Sequence, residues 1–195
     1  KSTFRHDLVK GSDPNFRPVD MEFAPDGSLY LVDWHNALIG HMQHNARDPD
    51  RDHSHGRVFR ITYPDRPLVK PAQVAGASIP ALLDNLKLPE YRTRYRTRRE
   101  LRGRDGNAVM AALHKWSSSL NQSDPGFEHH LVEALWVSWG LNRVHEVQPL
   151  LKQLLRAKDY RARAAAVRVL RYSGHQIPDH SSLLRAAAAD EYGRV

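Results

Sequence analysis

Five of the twelve histidines fall between residues 35 and 55, namely His35, His41, His44, His53 and His55, and they alternate with Asp33, Asp48, Asp50 and Asp52. Imidazole and carboxylate together suit zinc, manganese or iron, whereas carboxylates and carbonyls alone suit calcium. Asp33, His41, His44, Asp52 and His55 are therefore the metal-ligand candidates. His53 and His55 share a side if the backbone is extended, and His41 and His44 do so if it is helical. Neither spacing matches a standard ligand motif.

The same loop also holds the groups for acid–base chemistry. A histidine titrates near neutrality and can take a proton from an alcohol, which makes His35 and His53 candidate catalytic groups, with Arg57 beside them. Arg47, Arg51 and Arg57 could each grip an anionic group, such as a quinone carboxylate, through a guanidinium fork. A plainer role competes with these. Histidines and aspartates in a polar loop cap and bridge backbone groups, and Arg57, at a strand end, would pair with Asp33 or Asp52.

The elements that must hold this loop are strands. Val19, Met21 and Phe23 alternate with Asp20 and Glu22, the period-two pattern of a half-buried strand. Pro25-Asp26-Gly27-Ser28 then supplies a tight turn into a strand over residues 29–34. A third strand over residues 57–63 follows the polar loop, and Pro64-Asp65 ends it. Three strands cannot cover both faces of their own sheet, so this region is expected to stack on something else apolar.

Composition changes after residue 75. Residues 1–75 carry 10 Lys/Arg against 10 Asp/Glu and seven of the twelve prolines. Residues 76–195 carry 19 basic against 12 acidic residues, which accounts for the net charge of +7. Two domains are expected, 1–75 and 76–195. With no cysteine in the chain, disulfides, thiolate zinc sites, cysteine nucleophiles and covalently attached c-type haem are excluded within these residues. No apolar run reaches the length of a membrane span. There is also no glycine-rich phosphate loop, nucleophile elbow or HExxH helix.

The second region carries a repeat. Glu90, Asp124, Asp159 and Asp190 stand 34, 35 and 31 residues apart, with Leu86, Leu120, Leu155 and Ala186 each four residues before them. Each unit reads as a helix, a short turn with an acidic N-cap and a second helix. Arg94, Arg163 and Arg194 lie four past their anchors, where an acid at the helix start could pair with them, while Glu128 departs from the pattern. Trp116, Trp136 and Trp139 read as packing residues between repeats. Seven arginines between Arg92 and Arg104 read as a solvated or packing face rather than a nucleic-acid site.

Residues 16–20, 24–34 and 56–61 resemble a blade of β-propellers of the NHL and glucose/sorbosone dehydrogenase type. The insert from Trp34 through Arg57 resembles the last blade of the large membrane-bound dehydrogenases of planctomycetes and verrucomicrobia, in which a propeller precedes HEAT repeats and a cytochrome c domain. The resemblance implies an α+β chain in which a terminal antiparallel β-propeller blade is followed by an α-solenoid of HEAT-like helical hairpins. It further implies a fragment of a periplasmic or cell-envelope enzyme that oxidises a sugar or alcohol. Pyrroloquinoline quinone or a divalent metal (Ca or Zn) would serve as cofactor, and electrons would pass to haem in a domain outside these residues. The start at Lys1 and a last repeat that stops at Val195 fit a fragment. Two other functions are compatible with the residues: a metal-dependent, lactonase-like propeller hydrolase, and a HEAT-repeat module that binds a protein partner.

Overall fold

The computed structural model describes residues 6–37 and 47–195, which divide into two compact units, Lys1–Pro71 and Ala72–Val195. Unit 1 is built on the strands β1 (Pro18–Phe23), β2 (Leu29–Asp33) and β3 (Arg57–Ile61), paired antiparallel in the order β1-β2-β3. Gly27, at φ +84°, makes the turn between β1 and β2. Asp26 closes that turn by accepting from the Ser28 N–H (2.9 Å) and hydroxyl (2.6 Å).

The register places Met21, Leu31 and Phe59 side by side on one face, with Phe23, Leu29 and Ile61 as the next row and Asp33 opposite Arg57 at the far end. Leu29, Leu31 and Asp33 are buried, while Tyr30 and Val32 point outward. Burial stops at the edge: Met21 and Phe23 remain more than 60% exposed. This overturns the expected propeller blade. The sheet has three strands where a blade has four, and no second sheet lies on either face among the described residues. Alternation followed by a Pro-Asp-Gly turn specifies an antiparallel hairpin in any setting, so those residues carry the meander and not the higher architecture.

Unit 2 is helical. Its helices are α1 (Ile79–Asn85), α2 (Tyr91–Arg102), α3 (Gly106–Ser118), α4 (Phe127–Gly140), α5 (Gln148–Leu154), α6 (Tyr160–Ser173) and α7 (His180–Ala187), with single 3₁₀ turns before α5 and after α6. α2 packs on α4 and α4 on α6, making one row. α1 packs on α3, α5 packs on both α4 and α6, and α7 packs on α6. One apolar core runs through them, with Leu82, Leu101, Leu113, Leu135, Leu151 and Leu170 fully enclosed. Among the described residues no helix is long and apolar enough to cross a membrane.

The acidic anchors do not define a regular hairpin repeat, a second correction to the expected architecture. Glu90 caps α2 by accepting from the N–H groups of Arg92 and Thr93, and Asp159 caps α6 by accepting from Arg161. Asp124 only braces the turn before α4, whose N-cap is Gly126, and Asp190 lies beyond the end of α7. The chain is α+β, a three-stranded sheet followed by a helical array.

The arginines four past the caps do not pair back. Arg94 donates to the carbonyls of Leu88 and Pro89 (both 2.7 Å) and to Glu133 (3.0 Å) on α4. Arg163 does the same to Ala157, Lys158 and Asp190. Each guanidinium satisfies carbonyls left open before its own helix and reaches an acid farther along the chain. At the equivalent place on α4, Glu128 reverses the polarity, accepting from the N–H groups of Lys158 and Asp159 at 2.8 Å each. Hydrogen bonds to a charged partner are worth about 1.5–3 kcal/mol, so Glu128→Ala is expected to cost roughly 2 kcal/mol in urea unfolding. Glu128→Gln should cost about half that.

Candidate functional site

The end of β2 carries a polar node. Asp33, its side chain fully enclosed, accepts from the Arg17 N–H (2.7 Å), the His35 N–H (3.0 Å) and Arg57 Nε (2.7 Å). The second prong of Arg57 holds Asp13. Burial alone would raise the Asp33 pKa, but these donors outweigh it and hold the carboxyl below its ordinary range. Residues 15–17 run beside 34–36, joined by Trp34 N–H to the Arg17 carbonyl and Asn36 N–H to the Asn15 carbonyl, each at 3.0 Å.

His35 sits at φ +52°, in the left-handed region that non-glycine residues rarely occupy. Its Nε2 lies 3.3 Å from the Asn15 amide, and its buried Nδ1 has no partner among the described residues. Next to it, Asn36 is buried with neither amide atom satisfied among the described residues, and Arg17 Nε is likewise unpaired there. Buried polar atoms without partners are rare in folded proteins. Five such atoms fall in this node among the described residues; one of them, Arg57 Nη2, is held 2.7 Å from Asp33 by charge, and the other four leave donors and an acceptor to offer.

The remaining candidates are scattered. Arg57 is occupied by Asp33 and Asp13, so it cannot also clamp an external anion. His53 is exposed. Arg51 lies over the Trp34 ring (5.5 Å), and Arg47 is exposed. Asp52 organises its own loop, accepting from the Ser54 N–H and hydroxyl and from His55 Nδ1 (2.7 Å), which hold it far below the ordinary carboxylate range. Among the described residues no three histidine, aspartate or glutamate side chains converge on a point that could hold a metal. Asp33, Asp52 and His55 thus do not converge on a shared ion. His41 and His44 lie outside the described residues.

Sequence reasoning missed Asp13, Asn15, Arg17 and Asn36. None forms a motif, because the node is assembled by pairing residues 13–17 against 33–36.

Unit 2 has a groove of about 680 Å³ across α2, α4 and α6. Tyr91, Tyr95, Trp136 and Trp139 line it together with Arg98, Arg99, Arg102 and Arg168. Trp116 packs inside the core, as expected of a helical tryptophan, but Trp136 and Trp139 stay half-buried at the groove. Arg98 bridges groove and interior, lying 5.0 Å over Trp136 while binding the enclosed Glu133.

Residues 1–65 match a family model described as a domain of unknown function (DUF7133). No curated protein and no solved structure matches the chain.

Proposed function

We propose that unit 1 presents one wall of a substrate site in an oxidoreductase of the cell envelope, acting on the hydroxyl of a sugar or alcohol. The observation that carries this reading is the node around His35: a strained histidine and a buried asparagine, both holding unpartnered polar atoms. A hydroxyl needs one acceptor and one donor, and Asn36 Oδ1 and Nδ2 supply that pair. With the Asn15 amide turned so that its oxygen accepts Nε2–H, His35 Nδ1 is free to take the hydroxyl proton. Asp33 serves as a positioning residue, fixing the His35 backbone through its N–H. The hydride or electrons leave to an acceptor held elsewhere, and the dehydrogenase resemblance of residues 16–61 supports that choice of chemistry over others open to a histidine.

His35→Gly separates strain from function. Glycine adopts positive φ freely, and the strain removed is of order 1 kcal/mol. The variant is therefore expected to match or exceed the parent in stability. In ¹⁵N-resolved NMR titrations with a panel of sugars and primary alcohols, the parent should show shifts at His35, Asn36 and Arg17 that the variant lacks. A panel that moves none of these resonances, or a His35→Gly variant that unfolds unit 1, would assign the node to structure alone.

A further inference from the structure

We propose that the groove over α2, α4 and α6 docks an acidic segment of a partner protein, one in which carboxylates alternate with apolar side chains. The first observation is charge without compensation. Arg99, Arg102 and Arg168 are exposed in the groove wall and make no ion pair among the described residues, whereas Arg94, Arg98, Arg104, Arg143, Arg161 and Arg163 of the same unit are each matched with an acid. A neighbouring pocket shares Trp136 and Arg168 and adds Arg194, together with Arg161, which is paired with Asp159. Glu133, the acid nearest its floor, is enclosed and already holds Arg94 and Arg98.

The aromatic geometry decides between kinds of anion. Single-stranded nucleic acid binds by stacking bases on open ring faces. Here one face of each of three rings is taken: Trp136 by Arg98, Tyr95 by Arg99 (5.9 Å), and Trp139 by a stacked Tyr172 (6.0 Å, 17°). A guanidinium held over a ring keeps its N–H groups for an anion in its own plane, and Arg99, over Tyr95 and without an acidic partner, is the groove arginine placed to capture a carboxylate in that way. The apolar rims of Tyr91, Trp136 and Trp139 remain to meet aliphatic side chains between the carboxylates. An acidic peptide with interspersed leucines matches both features.

The test uses the complete chain and a fluorescein-labelled peptide of alternating glutamate and leucine, with oligothymidylate of equal length as the competing polyanion. The peptide is expected to bind at about 0.15 M salt and to weaken as salt rises, with a concurrent change in tryptophan emission. The triple variant Arg99→Gln/Arg102→Gln/Arg168→Gln should keep the parent's circular dichroism and unfolding midpoint, because none of the three has an acidic partner to lose. Its affinity should fall at least about tenfold, the size expected for removing several steering charges. Failure of the peptide to bind, undiminished binding by the triple variant, or tighter binding of oligothymidylate than of the peptide would each overturn the proposal. The last of these outcomes would make the groove a nucleic-acid surface.

Discussion

Replacing Glu133 with alanine is expected to lower the thermal midpoint of unit 2 by roughly 10 °C or more, from a loss of about 3 kcal/mol. Glu133 is the one charged side chain fully enclosed in the helical core among the described residues, and Arg94 and Arg98 approach it from α2. Removing the acid takes away more than one contact. Both guanidiniums, themselves less than a fifth exposed, lose their anion, and the space left behind is enclosed. Breaking a buried pair from one side costs far more than the pair itself contributes, because the surviving charge stays desolvated. Glu133→Gln keeps the volume and one acceptor, so it should fall between parent and alanine. High salt should not mimic either variant, since enclosed pairs are poorly screened.

The same site gives unit 2 a pH dependence near neutrality. His129 lies 3.5 Å from Glu133, and its pKa is lowered first by burial, with Arg94 and Arg98 adding to the effect and Glu133 opposing it. His130 is lowered mainly by burial as well. For a group whose folded pKa lies below its unfolded value, stability is present above the unfolded value and is lost as pH falls through it. Unit 2 should therefore weaken as pH drops below about 6.5. Urea midpoints taken across that range would check it, and a flat profile would contradict the assignment.

How much of this was legible in the sequence differs between the units. The strands fall where alternation and the Pro-Asp-Gly turn predict, because those signals are local. Local signals cannot specify how many strands a sheet has or what covers it, and the blade expectation failed there. In unit 2 the acidic residues at Glu90 and Asp159 read correctly as caps, since a cap acts on the two or three N–H groups beside it. The role of Arg94 was misread for the complementary reason. A residue four past a cap can pair along its own helix, but the enclosed Glu133, 39 residues on, offered a stronger field than a capping carboxylate already held by two amides. Nothing in the local pattern of α4 distinguishes Glu133 from a surface acid.

The node in unit 1 was half legible. His35, Asp33 and Arg57 stood out by type, and the pairing of Arg57 with Asp33 was the plain alternative considered for that arginine. Their partners Asp13, Asn15, Arg17 and Asn36 do not stand out, because their importance comes from two extended segments lying side by side, whose contacts join residues 16 to 21 apart in sequence. The density of histidine and aspartate in the loop suggested a metal. Asp33 and Asp52 have their oxygens taken by backbone amides and by Arg57 or His55, as short acidic side chains in tight turns ordinarily do, while His41 and His44 lie outside the described residues.

Asp33→Ala is expected to unfold unit 1 outright while leaving unit 2 intact. The carboxylate satisfies the N–H groups of Arg17 and His35 and one side of Arg57, all at a fully enclosed position. Its removal leaves those three donors facing a void, a loss of roughly 3–5 kcal/mol. A domain of this size rarely has more than about 3–5 kcal/mol in total, and this sheet buries one face only in part. The expected hydrogen-exchange result is loss of protection across residues 18–61 with residues 91–173 unchanged. Asp13→Ala, which removes the exposed partner of the same arginine, should leave the sheet folded. Acid should reproduce the alanine effect: with the folded pKa of Asp33 below the unfolded value, its stabilisation is complete above about pH 4 and is lost as pH falls through the lowered value. Unit 1 should thus survive the mild acidification that weakens unit 2 and then fail below it. Protection that persists in residues 18–61 of the Asp33→Ala protein would mean that the pairing of residues 15–17 with 34–36 holds without its central acid, and that the strain at His35 is maintained by something other than Asp33.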